Sequence, residues 1–113
     1  MSLLSIRMRA EPLRSLAFGA ISAAYAQVGP ALNNAPSQIL VQNLTDSLLV
    51  FSFDGIVDHF VLPAGGFFLS DIASNKALGG GLCLSRGDGL WVKVISAPSV
   101  GSVYFSVFYG SDN

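Results

Sequence analysis

The feature that most constrains this chain is its punctuation. From Ser37 onward, short runs of β-branched and aromatic residues alternate with turn-forming residues. Gln38-Ile39-Leu40-Val41-Gln42-Asn43 ends at the turn Asn43-Leu44-Thr45-Asp46, and Leu48-Leu49-Val50-Phe51-Ser52-Phe53 closes at Asp54-Gly55. Residues 57–62 stop at Pro63-Ala64-Gly65-Gly66, and residues 67–72 give way to a loop over 73–81. A short run, Leu82-Cys83-Leu84, precedes the turn Gly87-Asp88-Gly89. Residues 90–95 and, after Pro98 and Gly101, residues 102–109 complete the series. These runs are too short for amphipathic helices, and most have a period near two. Asp-Gly tolerates the positive φ that tight turns require. Seven or eight such strands, roughly ten residues apart, predict an all-β fold: a single antiparallel β-sandwich.

The first 36 residues read differently. Residues 16–26 are rich in alanine, which favours helix, but Gly19 interrupts them and the polar positions do not share a helical face. An extended or strand-like segment is expected there, followed by a loop from Pro30 through Asn33-Asn34-Ala35-Pro36. Residues 1–27 also imitate a secretory signal, with Arg7, Arg9 and Arg14, an apolar stretch and Ala24-Tyr25-Ala26. The apolar stretch is short and broken by Gly19 and Ser22, and Glu11-Pro12 lies in the basic region, so retention is expected. It is also far below the ~20 residues that span a bilayer. Residues 1–14 are expected to form an N-terminal arm, with the sandwich domain over 15–113. Leu3, Leu4 and Ile6 supply apolar anchoring to a neighbouring subunit, and Arg7, Arg9 and Arg14 supply polar anchoring to its carboxylates.

Charge supports association. Charged residues make up 12% of the 113 residues while hydrophobic types reach 51%; ordinary domains carry about 25% charge. The net charge of −1 argues against a nucleic-acid binder by bulk attraction. It averages two unlike halves. Arg7, Arg9 and Arg14 against Glu11 leave residues 1–36 at +2, and Lys76, Arg86 and Lys93 against six Asp leave residues 37–113 at −3. Several runs are apolar on both faces, as in 48–53 and 67–69. A sandwich strand needs only one buried face, so the second must be covered by the N-terminal segment or by another subunit.

Chemistry-bearing motifs are sparse. One cysteine, Cys83, allows no intrachain disulfide, and one Cys with one His cannot build the usual four-ligand zinc site. The six Asp lack calcium-loop spacing. Gly79-Gly80-Gly81 lacks the Lys-Ser/Thr of a phosphate cradle. Arg86-Gly87-Asp88 spells an adhesive tripeptide that turn geometry explains. Asn43-Leu44-Thr45 spells a glycosylation sequon whose better use is turn bonding by Asn43, Thr45 and Asp46. Asp54, Asp58 and His59 cluster, but Ser52 and Ser70 lie in strand-like contexts without a nucleophile elbow, so a polar turn with His59 bonded to backbone is expected. No enzyme activity, metal or cofactor is expected. Most aromatics are expected in the core; Trp91 and the tyrosines, with their polar handles, are candidates to face a partner.

The order and spacing of several segments carry a resemblance. They are Gln42-Asn43-Leu44-Thr45-Asp46, Phe51-Ser52-Phe53-Asp54-Gly55, Asp58-His59-Phe60, Leu62-Pro63-Ala64-Gly65, Asp71-Ile72-Ala73-Ser74-Asn75-Lys76, Leu90-Trp91-Val92-Lys93, and Gly101-Ser102-Val103-Tyr104 running to Tyr109-Gly110. Over residues 15–110 the chain resembles small structural proteins of tailed bacteriophages; Cys83 and Gly79-Gly80-Gly81 depart from that pattern. The resemblance implies a jelly-roll-like sandwich present in many copies on the virion, made in the bacterial host cytoplasm. Head decoration or cement proteins of this kind bind the major capsid protein and other copies of themselves, and clamp the shell. They have no catalytic residues to carry over, and neither nucleic acid nor membrane is an expected partner. A neck or tail component, or a host-surface glycan-binding module, are the alternatives.

Overall fold

The structure is a computed structural model and describes residues 7–71, 84 and 86–111. Those residues form nine strands: β1 (Arg7–Ala10), β2 (Arg14–Ala17), β3 (Ala26–Gln27), β4 (Gln38–Asn43), β5 (Leu49–Ser52), β6 (Phe60–Leu62), β7 (Phe67–Asp71), β8 (Trp91–Val94) and β9 (Ser102–Ser111). They build two antiparallel sheets. One runs β1-β9-β4-β7, with β2 also on β9, and the other runs β3-β8-β5-β6.

The first sheet's outer strand is broken in two. Arg9 lies opposite Tyr109 in β1, and Leu16 lies opposite Val103 in β2. Pro12, which has no N–H to donate to a ladder, sits in the break. With β1 and β2 counted as one strand, the first pairs with the last: β3 with β8, β4 with β7, β5 with β6. That is a long hairpin rolled onto itself, the jelly-roll arrangement. The expected all-β sandwich is therefore present.

The core is the inward half of each strand. Ile39, Val41, Val103, Phe105 and Val107 from one sheet meet Leu49, Phe51, Leu62 and Val92 from the other. Residue alternation on β4 is strict, with Ile39, Val41 and Asn43 inward and Gln38, Leu40 and Gln42 outward. Among the described residues, every buried side-chain nitrogen and oxygen has a hydrogen-bond partner.

Local chemistry moved several boundaries. The strand expected over 57–62 starts only at Phe60, because Asp54 Oδ1 accepts the N–H groups of Ile56 (2.8 Å) and Val57 (3.0 Å) and holds them in the turn. The 16–26 segment is divided: β2 ends at Ala17, a 3-10 turn covers Phe18–Ala20, and β3 holds two residues. Leu82, Cys83 and the Gly79-Gly80-Gly81 run lie outside the described residues, and Leu84 is buried but not in a strand.

The N-terminal anchoring residues need a correction. Leu3, Leu4 and Ile6 lie outside the described residues. Arg7 and Arg9 belong to β1, so the described part of the expected arm is a strand of the sandwich's own first sheet. Arg14 does not reach out to a neighbour. Its side chain is 2% exposed and points inward beside Phe105, 5.9 Å over the ring. There Nη2 donates to Glu11 Oε1 at 2.6 Å and to the Ala31 carbonyl at 3.0 Å, and Nε donates to the Pro30 carbonyl at 2.8 Å. The physical reason is local. Loop carbonyls at residues 30 and 31 and the buried Glu11 carboxylate need donors, and a guanidinium supplies several in one plane.

Candidate interaction face

The two sheets differ on their outer faces. On the second sheet, Lys93 pairs with Asp58 at 3.0 Å and lies 4.7 Å over the Tyr25 ring. The Tyr25 hydroxyl donates to the same Asp58 oxygen; burial first, and that acceptor second, push its pKa up to about 12. This is an ordinary wet face, with charges paired in the open.

The outer face of the first sheet is poorer in charge. Its rows follow from the register. Leu69 lies beside Leu40, which lies beside Ser106; Phe67 beside Gln42, then Tyr104, then Ser15; and Asp71 beside Gln38, then Phe108, then Ala10. Asp71, at the end of β7, is the one charged residue in these rows. Phe67 is 65% exposed and Leu69 59%, both on the edge strand β7. Strands β1 and β2 extend this sheet sideways, beside β9, and do not lie across its outer face. Phe18, Leu44 and Val100, all exposed, converge at Gly101, where the Phe18 N–H meets the Gly101 carbonyl at 3.0 Å and the Leu44 N–H meets the Ser102 carbonyl at 3.0 Å.

The polar motifs are structural. Asn43 is fully buried, which removes it as a glycan acceptor in the folded chain. Its Nδ2 donates to the carbonyls of Ser47 (2.8 Å), Leu62 (2.9 Å) and Pro63 (3.1 Å), and its Oδ1 accepts from the Thr45 N–H and hydroxyl. Asp46 also reaches beyond its own turn, to the Ser99 N–H at 2.8 Å and the Ser99 hydroxyl. Gly87 adopts φ +95° in the Arg86-Gly87-Asp88 turn, a conformation that glycine permits at no steric cost.

Ser52, Asp54 and His59 do come together, in the wrong order for nucleophilic catalysis. The Ser52 hydroxyl is buried, donates to Asp54 Oδ1 at 2.7 Å, and accepts from the N–H groups of Asp54 and Gly55. His59 Nδ1 is 3.4 Å from Ser52 Oγ and accepts the Phe53 N–H at 3.0 Å. The carboxylate thus binds the serine and not the imidazole, and the serine proton is already committed. This is the polar turn the sequence implied, with His59 on backbone.

Beside that turn, a groove of about 420 Å³ is lined by Phe53, Asp54, His59, Phe60, Phe68, Leu84 and Asp88. Trp91 is not in it; its indole packs under Gly55, within 3.2 Å of where a Cβ would stand. Among the described residues, no group of three or more His, Cys, Asp or Glu is placed to hold a metal. No family model, curated protein or solved structure matches this chain.

Proposed function

We propose that this chain is a structural subunit of a tailed-bacteriophage virion, a head decoration or cement protein that lies on the major capsid protein beside other copies of itself. The observation that supports this most is the charge-poor outer face of the first sheet, where Asp71 is the one charged register position among the described residues and Phe67 and Leu69 are exposed on the edge strand. Depletion of charge with enrichment of aromatic residues is the compositional mark of interface cores. A strand edge left with neither Lys nor Pro is one that a neighbour is meant to cover. Many copies on a shell then add avidity, so each contact needs only modest area. Anchoring by residues 1–6, with Leu3, Leu4 and Ile6, belongs to the same reading; Arg14 no longer does.

The glycan-binding alternative needs Trp91 and tyrosines along a groove, whereas phenylalanines line the groove beside the 54–57 turn. The test is binding of purified protein to particles that lack it. Phe67→Lys with Leu69→Lys is expected to fold, because both side chains are exposed, and to lose particle binding. Full binding by that variant overturns the reading. Copy number on native particles then separates a shell site, with copies across the whole surface, from a single ring at the neck or tail.

A further inference from the structure

The turn that follows β5 holds a reactive pair, Asp54-Gly55. In an Asp-Gly sequence the glycine nitrogen can attack the preceding side-chain carboxyl, because glycine brings no Cβ to hinder the approach. The bond from Gly55 N to Asp54 Cγ forms, the amide proton and the carboxyl OH leave as water, and a succinimide ring results. Water then reopens the ring. Where it cleaves the bond between the Asp54 main-chain carbonyl carbon and the Gly55 nitrogen, the chain continues through the side chain as isoaspartate. No electrons are transferred, and the water lost is regained.

We propose that Asp54-Gly55 is a modification site, an isoaspartate position that Ser52 holds latent in the folded chain. Both reacting groups are bonded to that one hydroxyl. The Gly55 N–H donates to Ser52 Oγ at 2.9 Å, and the Ser52 hydroxyl donates to Asp54 Oδ1 at 2.7 Å. Attack requires the nitrogen to give up that N–H bond and turn its face toward Cγ. It also requires Cγ to swing toward the nitrogen. Oδ1 accepts the Ile56 N–H at 2.8 Å and the Val57 N–H at 3.0 Å as well, so the swing breaks these bonds together with the serine's.

Packing and charge add to the restraint. Ser52 is a fully buried residue of β5, so its hydroxyl is fixed by the sheet and out of reach of solvent. Gly55 stands at φ +76°, with the Trp91 indole 3.2 Å from where a Cβ would be, so the glycine has no room to shift toward the sheet. The Val57, Ile56 and Ser52 bonds also lower the carboxyl pKa to about 2. A carboxylate is a far poorer electrophile than the acid, and its oxygen leaves only once protonated. The chain carries a second such pair, Asp88-Gly89. Ser52 bonds Asp54 and Gly55, so removing its hydroxyl acts on the first pair and leaves the second as a reference.

The experiment incubates the full chain at neutral pH in heavy-oxygen water, folded and in urea. Each ring opening inserts one heavy oxygen, which peptide mass spectrometry reads at residues 54 and 88, and chromatography against synthetic peptides identifies the isoaspartate. In urea both pairs are expected to label. In the folded chain residue 54 is expected to label at least about tenfold more slowly than in urea. Ser52→Ala is expected to raise the folded rate at residue 54 about tenfold and to leave residue 88 unchanged. Ser52→Cys, which nearly keeps the volume and weakens both bonds, takes its place if circular dichroism shows Ser52→Ala unfolded. Equal labelling of residue 54 in folded and unfolded chain, an unchanged rate in the folded variant, or an equal rise at both residues would each overturn the proposal. Isolated protein suffices, so the outcome is separate from particle binding.

Discussion

Arg14→Met tests the buried ion pair that joins the N-terminal strands to the 30–34 loop. Both side chains of the pair are 2% exposed. The substitution keeps most of the aliphatic stem that packs on Gly29, and removes the donors held by Pro30 O, Ala31 O and Glu11 Oε1. Glu11 keeps the Asn34 side-chain donor at 2.9 Å and the Asn33 N–H at 3.2 Å, but loses the guanidinium. Breaking such a pair from one side costs about 3–5 kcal/mol, because a charge stays buried without its partner. With an unfolding entropy of about 2.1 cal/mol/K per residue, a chain of 113 residues would lose roughly 15 °C of melting temperature. Urea and thermal unfolding followed by circular dichroism would measure it. The pair should also couple: Glu11→Leu in the Arg14→Met background should cost about 2 kcal/mol less than it does alone. Acid adds a second check. Burial raises the Glu11 pKa, but bonds from Asn34, Arg14 and Asn33 outweigh it and hold the group below its ordinary 4.5. A lowered folded pKa means stability present above 4.5 that fades as pH falls below it. The Arg14→Met penalty should therefore shrink in acid, where Glu11 takes up a proton. A penalty under about 1 kcal/mol at neutral pH, or strict additivity in the double variant, would refute the reasoning.

Two further outcomes follow from geometry. Gly101→Ala should destabilise the chain by about 3 kcal/mol or more in urea titrations, because its φ of +96° is strained for alanine and the new Cβ would meet the Leu44 carbonyl oxygen. Gly65→Ala, at φ +78° with open space around it, should cost only about 1–2 kcal/mol, and equal losses in the two variants would contradict the clash. The Asp54 carboxyl, held down by the Val57, Ile56 and Ser52 bonds, should titrate near 2 by NMR. The 54–57 turn should lose stability only as pH drops from 3.8 toward that value, and a midpoint near 3.8 would count against the bonds.

Much of this fold was legible because its turns are chemical. Residues 38–43 read as a strand and are β4, since glutamines alternate with branched residues between an Asn-Pro loop and an Asn-Thr-Asp turn. Asp54-Gly55 and Gly101 sit at positive φ as glycine turns demand. The N-terminal third was less legible, because its order comes from partners far along the chain. Leu16 is a strand residue by virtue of Val103, and Ala26 by virtue of Val92. Nothing near Arg14 in sequence announces that its donors go to carbonyls sixteen and seventeen residues on. The groove was half visible. Asp54 and His59 stood out together, but Phe68 and Asp88 reach them only through the rolled topology.

The low charge of this chain is not a uniform dilution. Glu11 and Arg14 are spent inside, Asp58 and Lys93 face outward together on the second sheet, and Asp46 and Asp54 tie loops. The outward positions of β4 and β9 hold Gln38, Gln42, Ser102 and Ser106 where Lys or Glu would keep an exposed sheet wet. Amides and hydroxyls lose water at a far smaller cost than ions, provided that a partner supplies hydrogen bonds. A face meant to stay in solvent gains nothing from that economy, and its exposed Phe67 and Leu69 invite edge-to-edge pairing. A face meant to be covered gains on both counts. The proposed interface therefore rests more on how charge is divided between the two sheets than on its scarcity.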